Sequence, residues 1–493
     1  MANNFKSDDS FLRKLVVGAA GTNATINRLK EMGFNPIELE RGSTGFKIWK
    51  KIKIKRVRVP DILCLSTGLR FESRGKTKLE ISMSHSINDD KRTWYAGMRD
   101  DDFVSIVVFN QNSDSPINLK QISPVHFISV RDMRQAFTNE QVSITKPKGV
   151  EEGSERRVMW TCAAANQQSR VSAVELGSRV SLVPIAEKER KQTIQLSRRN
   201  SINLLPQVNV GETVEANQIV AAVVPVKTAL PCPSPVNAAY FINKLTSVNM
   251  SERYASAKAL RYKGYDATAK LELKARIADV DEDIYVKLEA AAALAAYDDP
   301  NGWEFIESKL HSPAIIVPLE TQLETVIVTS EIQKNRSEQL LIEVLRDSQR
   351  DDELRAGAAW ALGQFASATS ASALADTFNS SPLEIKVEAA RALLRIAEPQ
   401  IPHLLNIMKN ENPAKRDGLS WVLARIGKFN PSDIIPGADE NLRKWMSYII
   451  GYGKENFIQN DIEAICKADS EVYFAASVLW QILASWVNDL KEY

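Results

Sequence analysis

The sequence has few cysteines and no pair of them close together. Cys64, Cys162, Cys232 and Cys466 are its only four, and no CxxC motif occurs. Structural zinc sites and disulfide frameworks both need clustered cysteines, so we expect neither. This cysteine usage favours a reducing compartment.

Long hydrophobic runs are also lacking. No stretch approaches the roughly eighteen apolar residues that a membrane-spanning helix needs, and residues 1–9 contain no apolar core of a signal peptide. The expectation is therefore a cytoplasmic protein without a membrane partner. The formal net charge of +2 excludes a strongly one-signed chain, but it averages segments of different character.

One of these segments is strongly basic. Residues 41–60 contain eight basic residues and no acid: Arg41, Lys47, Lys50, Lys51, Lys53, Lys55, Arg56 and Arg58. Such a local field attracts a polyanion, so the segment predicts contacts with a nucleic-acid backbone. The alternative is a solvated strand edge whose charges discourage aggregation.

Acids and bases follow this run at a spacing that predicts a site. On a strand, period-two alternation places Glu72, Arg74 and Lys76 on one face. The turn-like residues 66–68 would fold this strand back on its predecessor and bring Asp61 towards Glu72. Two carboxylates beside two cations suit metal-assisted hydrolysis of a phosphodiester.

These residues resemble the PD-(D/E)xK nuclease superfamily, whose core is a helix, a three-strand meander, a second helix and a further strand. Pro60-Asp61 and Glu72 match its motif over about the first 115 residues. The resemblance implies that Asp61 and Glu72 bind Mg²⁺ or Mn²⁺ and that Glu38 or Glu40 adds a third carboxylate.

The lysine of this family motif has no direct equivalent here. Arg74 stands where the family has lysine, and Lys76, two residues further on, lies on the same face. An arginine cannot act as a base because it does not lose its proton in a protein. Lys76 is therefore expected to orient the attacking water. Arg74 could only bind phosphate or orient the water.

Local signals around this motif give further expectations. Residues 11–18 and 23–32 read as two short helices joined by a glycine-containing turn, with Thr22 as the N-cap of the second helix. The acidic run Asp100, Asp101 and Asp102 is predicted to be a solvated turn. Residues 103–109 are predicted to form a buried central strand.

Residues 116–235 are predicted to be a β-rich module because short alternating runs are separated by Gly, Pro and Asn. Residues 208–221 resemble half of a biotinyl/lipoyl barrel-sandwich domain. Lys227 falls where such carriers place their modified lysine, although Val226 and Thr228 are not the methionines that usually flank it. The alternative is a structural barrel with an ordinary surface lysine. Residues 236–249 would be a linker.

The remainder, residues 250–493, repeats. A Leu-like residue that follows small residues recurs at intervals of 34, 34, 34, 31, 30, 27 and 29: Leu260, Leu294, Val328, Leu362, Leu393, Leu423, Ile450 and Leu479. This period is typical of stacked helix pairs. Residues 354–363 and 385–393 resemble short bacterial HEAT repeats, which implies an α-solenoid with a concave surface for a protein partner.

The predicted fold class is thus multidomain α+β, with a nuclease-like domain at 1–115, a barrel-like module and a HEAT-like solenoid. One hypothesis is a metal-dependent nuclease that acts on DNA and is recruited through the solenoid in bacterial defence or DNA processing. Such a nuclease could pair two active sites in a homodimer. A second is a scaffold that binds nucleic acid without cutting it. A third makes Asp61 an ordinary turn residue and pairs Glu72 with a neighbouring cation.

Overall fold

The computed structural model describes residues 8–39, 58–111, 119–146, 155–186, 190–197, 203–264, 266–410, 413–453 and 459–490. The chain divides into two compact units, residues 1–293 and 294–493. The boundary falls inside a helix, and each unit is described below by itself.

Strands are confined to the first unit. They are β1 (Pro36–Glu38), β2 (Ile62–Cys64), β3 (Arg70–Lys76), β4 (Ile81–Ser86), β5 (Phe103–Gln111), β6 (Leu119–Gln121), β7 (His126–Ser129), β8 (Val142–Thr145), β9 (Glu155–Trp160), β10 (Cys162–Ala164), β11 (Ser169–Glu175), β12 (Arg179–Pro184), β13 (Gln192–Gln195), β14 (Leu205–Pro206), β15 (Thr213–Val214) and β16 (Ile219–Ala222), among the described residues.

Two helices precede or interrupt these strands and the others follow them. They are α1 (Asp8–Glu31), α2 (Val130–Thr138), α3 (Ala238–Lys244), α4 (Met250–Lys263), α5 (Ala267–Ala278), α6 (Ile284–Ala296), α7 (Pro300–His311), α8 (Leu319–Ile332), α9 (Asn335–Arg346), α10 (Asp352–Leu362), α11 (Ala368–Ser380), α12 (Leu383–Asn410), α13 (Pro413–Ile426), α14 (Glu440–Tyr452), α15 (Gln459–Ala468) and α16 (Ser470–Leu490).

The N-terminal sheet has the order β1-β2-β3-β5-β6, with β7 also paired to β5. β1, β2 and β3 form an antiparallel meander, and β5 runs parallel to β3. The connection between β3 and β5, residues 77–102, is described in full and contains β4 and a short 3-10 helix but no α-helix. The second helix expected for a nuclease-like core is therefore missing from this connection.

The sheet also extends past residue 115, where a domain boundary was expected. β6 and β7 both pair with β5, so residues 119–129 complete the N-terminal sheet. The segment 236–249, predicted to be a linker, contains α3, which packs on α4. Strand pairing across residue 115 and packing of α3 on α4 override the loop-like composition that suggested these bounds.

α1 is one continuous helix of 24 residues, so the predicted turn between two short helices is wrong. Gly21 instead allows α1 to pack closely against β3. A methyl group placed on it would lie 2.5 Å from the amide nitrogen of Gly75 in β3, and one on Gly75 would overlap the Val17 carbonyl oxygen. The two glycines therefore let the helix and the strand approach each other closely. Next to this crossing, the buried Thr25 hydroxyl lies 2.9 Å from Ser105 Oγ.

The central residues contribute to three small sheets, β4-β9-β8, β13-β12-β11-β15 and β10-β16-β14. Their buried side chains, such as Leu182 and Val220, share one core with Val104 and Ile128 of the N-terminal sheet. Lys227 exchanges two backbone hydrogen bonds with Phe127 of β7, of 2.7 and 3.0 Å, while its side chain is exposed. The barrel-like module is thus fused to the first sheet, and modification of Lys227 stays a prediction.

The predicted helical repeat is confirmed. The eight recurring Leu-like positions fall in eight different helices, and those from Leu260 to Ile450 are fully buried. Small residues beside them let neighbouring helices pack closely, as at Gly363, where an added methyl group would lie 2.9 Å from Ala392 Cα. Local periodicity is therefore sufficient to specify this part of the fold.

His126 of β7 is a buried titratable group at the junction of the sheet and the central strands. It is fully buried, and its Nε2 accepts a hydrogen bond of 2.9 Å from the Ile219 amide of β16. Burial lowers the pKa of His126 from 6.5 to about 4. The folded chain therefore keeps this imidazole neutral at pH values where the unfolded chain protonates it.

We expect Gly75→Ala to destabilise the first unit by about 1–3 kcal/mol or more, because the added methyl group must push α1 off β3. Gly18→Ala is the matched control: it lies on the same helix with nothing within 4 Å of the added methyl group. It should be neutral or stabilise by up to about 1 kcal/mol. Urea unfolding curves measure both, and equal effects of the two substitutions would contradict the close crossing.

The second prediction concerns pH. Because the folded-state pKa of His126 is depressed, its contribution to stability is intact above pH 6.5 and is lost as the pH falls towards 4. At pH 4.5 the loss should be about 2.5 kcal/mol relative to pH 7. His126→Gln, whose side-chain oxygen can replace Nε2 as acceptor, should remove this part of the pH dependence in urea unfolding. Substitution of the exposed His311 by Gln should leave the pH dependence of stability unchanged. If His126→Gln also leaves it unchanged, His126 is not its source.

Candidate functional site

Asp61 and Glu72 lie where the sequence places them, on neighbouring strands. Ile62 pairs with Phe71, and continuing this antiparallel register sets Asp61 opposite Glu72. The Asp61 Oδ2 atom accepts a hydrogen bond of 2.7 Å from the Ser73 amide. Asp61 therefore has a structural task, closing the end of the β2–β3 pair.

Glu72 is buried on β3, 8 % exposed, and forms an ion pair with Arg74 two residues along the same face. The Arg74 side chain is 40 % exposed. The alternation predicted for this strand is correct, and the pairing of Glu72 with a neighbouring cation matches the third sequence hypothesis. A metal ion at Glu72 would compete with a guanidinium already in contact with it.

Lys76 is bonded to the segment that follows its own strand. Its Nζ donates hydrogen bonds of 3.2 Å to the Ser82 carbonyl and 3.0 Å to Ser82 Oγ, and lies 3.6 Å from the Glu80 carboxylate. Burial lowers the pKa of Lys76, and the Glu80 charge opposes that shift. Lys76 thus connects β3 to β4.

Three carboxylates of the predicted metal site come from the same meander. Glu38 ends β1 opposite Ile62, and the Leu39 amide donates to the Asp61 carbonyl at 2.7 Å. Within the ranges that the structure describes, no group of three or more His, Cys, Asp or Glu side chains is arranged to hold a metal ion. The Mg²⁺ or Mn²⁺ site with Asp61, Glu72 and Glu38 therefore stays a prediction, and Glu40 lies outside the described residues.

Most of the predicted nucleic-acid contacts cannot be placed. Arg41, Lys47, Lys50, Lys51, Lys53, Lys55 and Arg56 lie outside the described residues. Arg58 is described and exposed. The basic run stays a prediction of polyanion binding.

A buried polar cluster in the first unit is one that sequence reasoning missed. Asp102, predicted to lie in a solvated turn, is completely buried and binds two arginines. Arg70 of β3 reaches its carboxylate with bonds of 3.0 and 2.6 Å. Arg99 reaches it through Nε and Nη2, at 3.1 and 3.0 Å, and through its backbone amide at 2.6 Å. Asp100 and Asp101, by contrast, have exposed side chains, as predicted.

The two arginines extend this cluster to the first helices that follow the strands. Arg70 Nη1 donates a 2.9 Å bond to Ser251 Oγ of α4. Arg99 Nη1 lies 3.2 Å from both the Tyr240 hydroxyl of α3 and Glu252 Oε1 of α4. Burial alone would raise the pKa of Glu252, but hydrogen bonds from Ser247, Lys244 and Arg99 outweigh it and hold the pKa at about 2. The cluster therefore joins the sheet to the start of the helical repeat.

The only sequence signal for this cluster was the position of Asp102 directly before a strongly apolar strand. Its partner Arg70 lies 32 residues away in the sequence. Arg70 was visible only as the first residue of the predicted strand, where nothing distinguished it from a solvated arginine. Charge density alone therefore could not separate Asp102 from its two exposed neighbours.

The chain matches no known protein-family profile. It also matches no curated protein sequence. Among the described helices, none is long and apolar enough to cross a membrane.

Similar solved structures are helical and weakly related. A complex of CpcE and CpcF of phycocyanin lyase from Nostoc sp. PCC7120 is 17% identical over 49% of this chain and 97% of that chain, with a TM-score of 0.25. Human deoxyhypusine hydroxylase is 18% identical over 44% and 84%, with a TM-score of 0.19. A designed armadillo repeat protein in complex with the peptide (KR)4 is 16% identical over 50% and 99%, with a TM-score of 0.19. Values of this size carry no conclusion about function.

The fold itself defines the class of this chain: a mixed α/β protein that continues into a helical repeat. Repeat helices such as α10 and α11 bury their small residues against neighbouring helices. Repeats of this kind present an extended series of helix surfaces, which is the usual basis of protein–protein interaction in such folds.

Proposed function

We propose that this chain is a scaffold whose helical repeat binds a protein partner. The observation that carries the proposal is the repeat itself, in which Leu260, Leu362 and Ile450 are each buried in a separate helix. Stacking of this kind leaves side chains on the other helix faces available for contacts. Leu383 at the start of α12 is 72% exposed and Ile315, between α7 and α8, is 94% exposed.

The bonding of the predicted catalytic residues supports a non-catalytic role. Asp61 holds the Ser73 amide, Glu72 is paired with Arg74, and Lys76 is bonded to Ser82. Each interaction has a structural purpose in the meander or in its connection to β4. A chain with these contacts needs no metal ion to satisfy its carboxylates.

Metal-dependent cleavage of nucleic acid, with DNA as the expected substrate, is the second candidate. One observation favours it: the register sets Asp61 opposite Glu72, with Arg74 and Lys76 on the same strand as Glu72. Mg²⁺ often keeps several waters and takes only one or two protein carboxylates. A related alternative is that the basic residues 41–58 bind nucleic acid and the chain does not cleave it.

The scaffold proposal predicts where a partner will be cross-linked. The full chain is mixed with an extract of its source cells and treated with an amine-reactive cross-linker. Peptides of the partner should then be joined to lysines of the repeat such as Lys309 and Lys386. Exposed Lys227 of the strand-rich part is the internal control. Partner peptides joined only to residues 58–235 would contradict the proposal.

Cleavage is tested with labelled double-stranded DNA, single-stranded DNA and RNA in the presence of Mg²⁺ or Mn²⁺. We expect the wild-type chain to cut no more than an Asp61→Ala/Glu72→Ala double variant. Asp101→Ala removes an exposed acid and controls for charge. Metal-dependent cutting that only the double variant loses, with its helix and strand content unchanged by circular dichroism, would establish the nuclease and reject the non-catalytic scaffold.

A further inference from the structure

Helix α14 of the second unit carries an aromatic stripe, defined by Trp445, Tyr448 and Tyr452. Their spacing of three and four residues places them on one helix face. The ring centroids of Trp445 and Tyr448 are 5.9 Å apart at 74°, and those of Tyr448 and Tyr452 are 5.8 Å apart at 13°. Tyr452 is 40% exposed and the other two are half-buried. The stripe therefore presents ordered ring surfaces to the solvent.

A carboxylate lies beside this stripe. Asp417 is exposed on α13, the helix that packs against α14. Burial raises the pKa of Tyr448, and the nearby Asp417 charge raises it further. No ion pair between described residues involves Asp417. A negative charge next to exposed ring faces is complementary to a cation.

The same repeat already uses this chemistry internally. Arginines lie over tryptophan rings at three places: Arg336 over Trp303 at 5.2 Å, Arg395 over Trp360 at 6.0 Å and Arg425 over Trp421 at 5.9 Å. Over the aromatic stripe, no arginine or lysine from the described part of the chain occupies the corresponding position. The stripe thus has the ring surface of these pairs, and within the described ranges no cation covers it.

We propose that the aromatic stripe and Asp417 bind an arginine side chain in an extended segment of the protein partner. The inference rests on the scaffold function proposed above and gives it a location. Arginine fits better than lysine because its planar guanidinium stacks on a ring while its N–H groups donate to a carboxylate. A lysine ammonium is a compact, strongly hydrated charge that cannot stack in this way.

The test uses the full chain and fluorescence anisotropy of labelled hexa-arginine and hexa-lysine peptides at 150 mM salt, as general probes of cation recognition. Hexa-arginine should bind more tightly than hexa-lysine. Asp417→Asn should weaken its binding about two- to fivefold, and Tyr448→Ala/Tyr452→Ala about tenfold. Asp433→Asn removes an exposed acid between α13 and α14, and Tyr297→Ala removes an exposed ring directly after α6. Each should change hexa-arginine binding by less than about twofold.

Equal binding of the two peptides would overturn the assignment to arginine. Equal effects of Asp417→Asn and Asp433→Asn would overturn the site, because they would indicate general charge attraction. Asp417→Asn keeps the test valid if the double tyrosine variant fails to fold. Cross-linking separates the two proposals: a partner captured on the repeat equally well by wild type and by Asp417→Asn overturns this site alone, whereas capture away from the repeat overturns the scaffold function.

Discussion

The first unit depends on one buried charge, the carboxylate of Asp102. This carboxylate has zero exposure, and Arg70 and Arg99 surround it with charge-assisted hydrogen bonds. Removing one member of such a buried pair typically costs about 3–5 kcal/mol, because the remaining charge is left without compensation. The position of every element that contacts these three side chains is therefore coupled.

This coupling explains how two parallel strands hold together without a crossover helix. β3 and β5 are neighbours, but residues 77–102 leave the sheet to form β4 and return. Arg70 lies at the start of β3 and Asp102 directly before β5, so their contact fixes the same ends of both strands. The bonds to Ser251 and Glu252 add the first turn of α4 to this corner. The first helices after the strands are thus bonded to the sheet, where the sequence predicted a linker.

The parts of the fold that could be predicted are those that follow from local sequence patterns. The repeat followed from a regular recurrence of Leu-like residues, and the alternation of Glu72, Arg74 and Lys76 followed from the period of a strand. The continuous course of α1 was missed, since Gly18 and Gly21 weaken a helix locally and only the contact with Gly75 explains Gly21. Tertiary packing decided between the two interpretations.

The candidate site shows the same division. The predicted strand pairing correctly brought Asp61 and Glu72 together. Only the structure shows that Asp61 bonds to the Ser73 amide and that Glu72 pairs with Arg74, contacts that give both carboxylates a structural role. The sequence could not distinguish Asp102 from Asp101, because the burial of Asp102 depends on its pairing with Arg70, which lies on another strand. Sequence patterns place side chains on faces; they do not reveal which side chain meets them from a distant element.

Hydrogen exchange of an Asp102→Asn variant, compared with Asp101→Asn, measures this coupling most directly. If the buried carboxylate holds the sheet and the first repeat helices as one body, backbone amides of β3, β5 and α4 should lose protection together in Asp102→Asn and keep it in Asp101→Asn. Loss of protection confined to residues 97–102, with α4 unchanged, would contradict the central role given to Asp102.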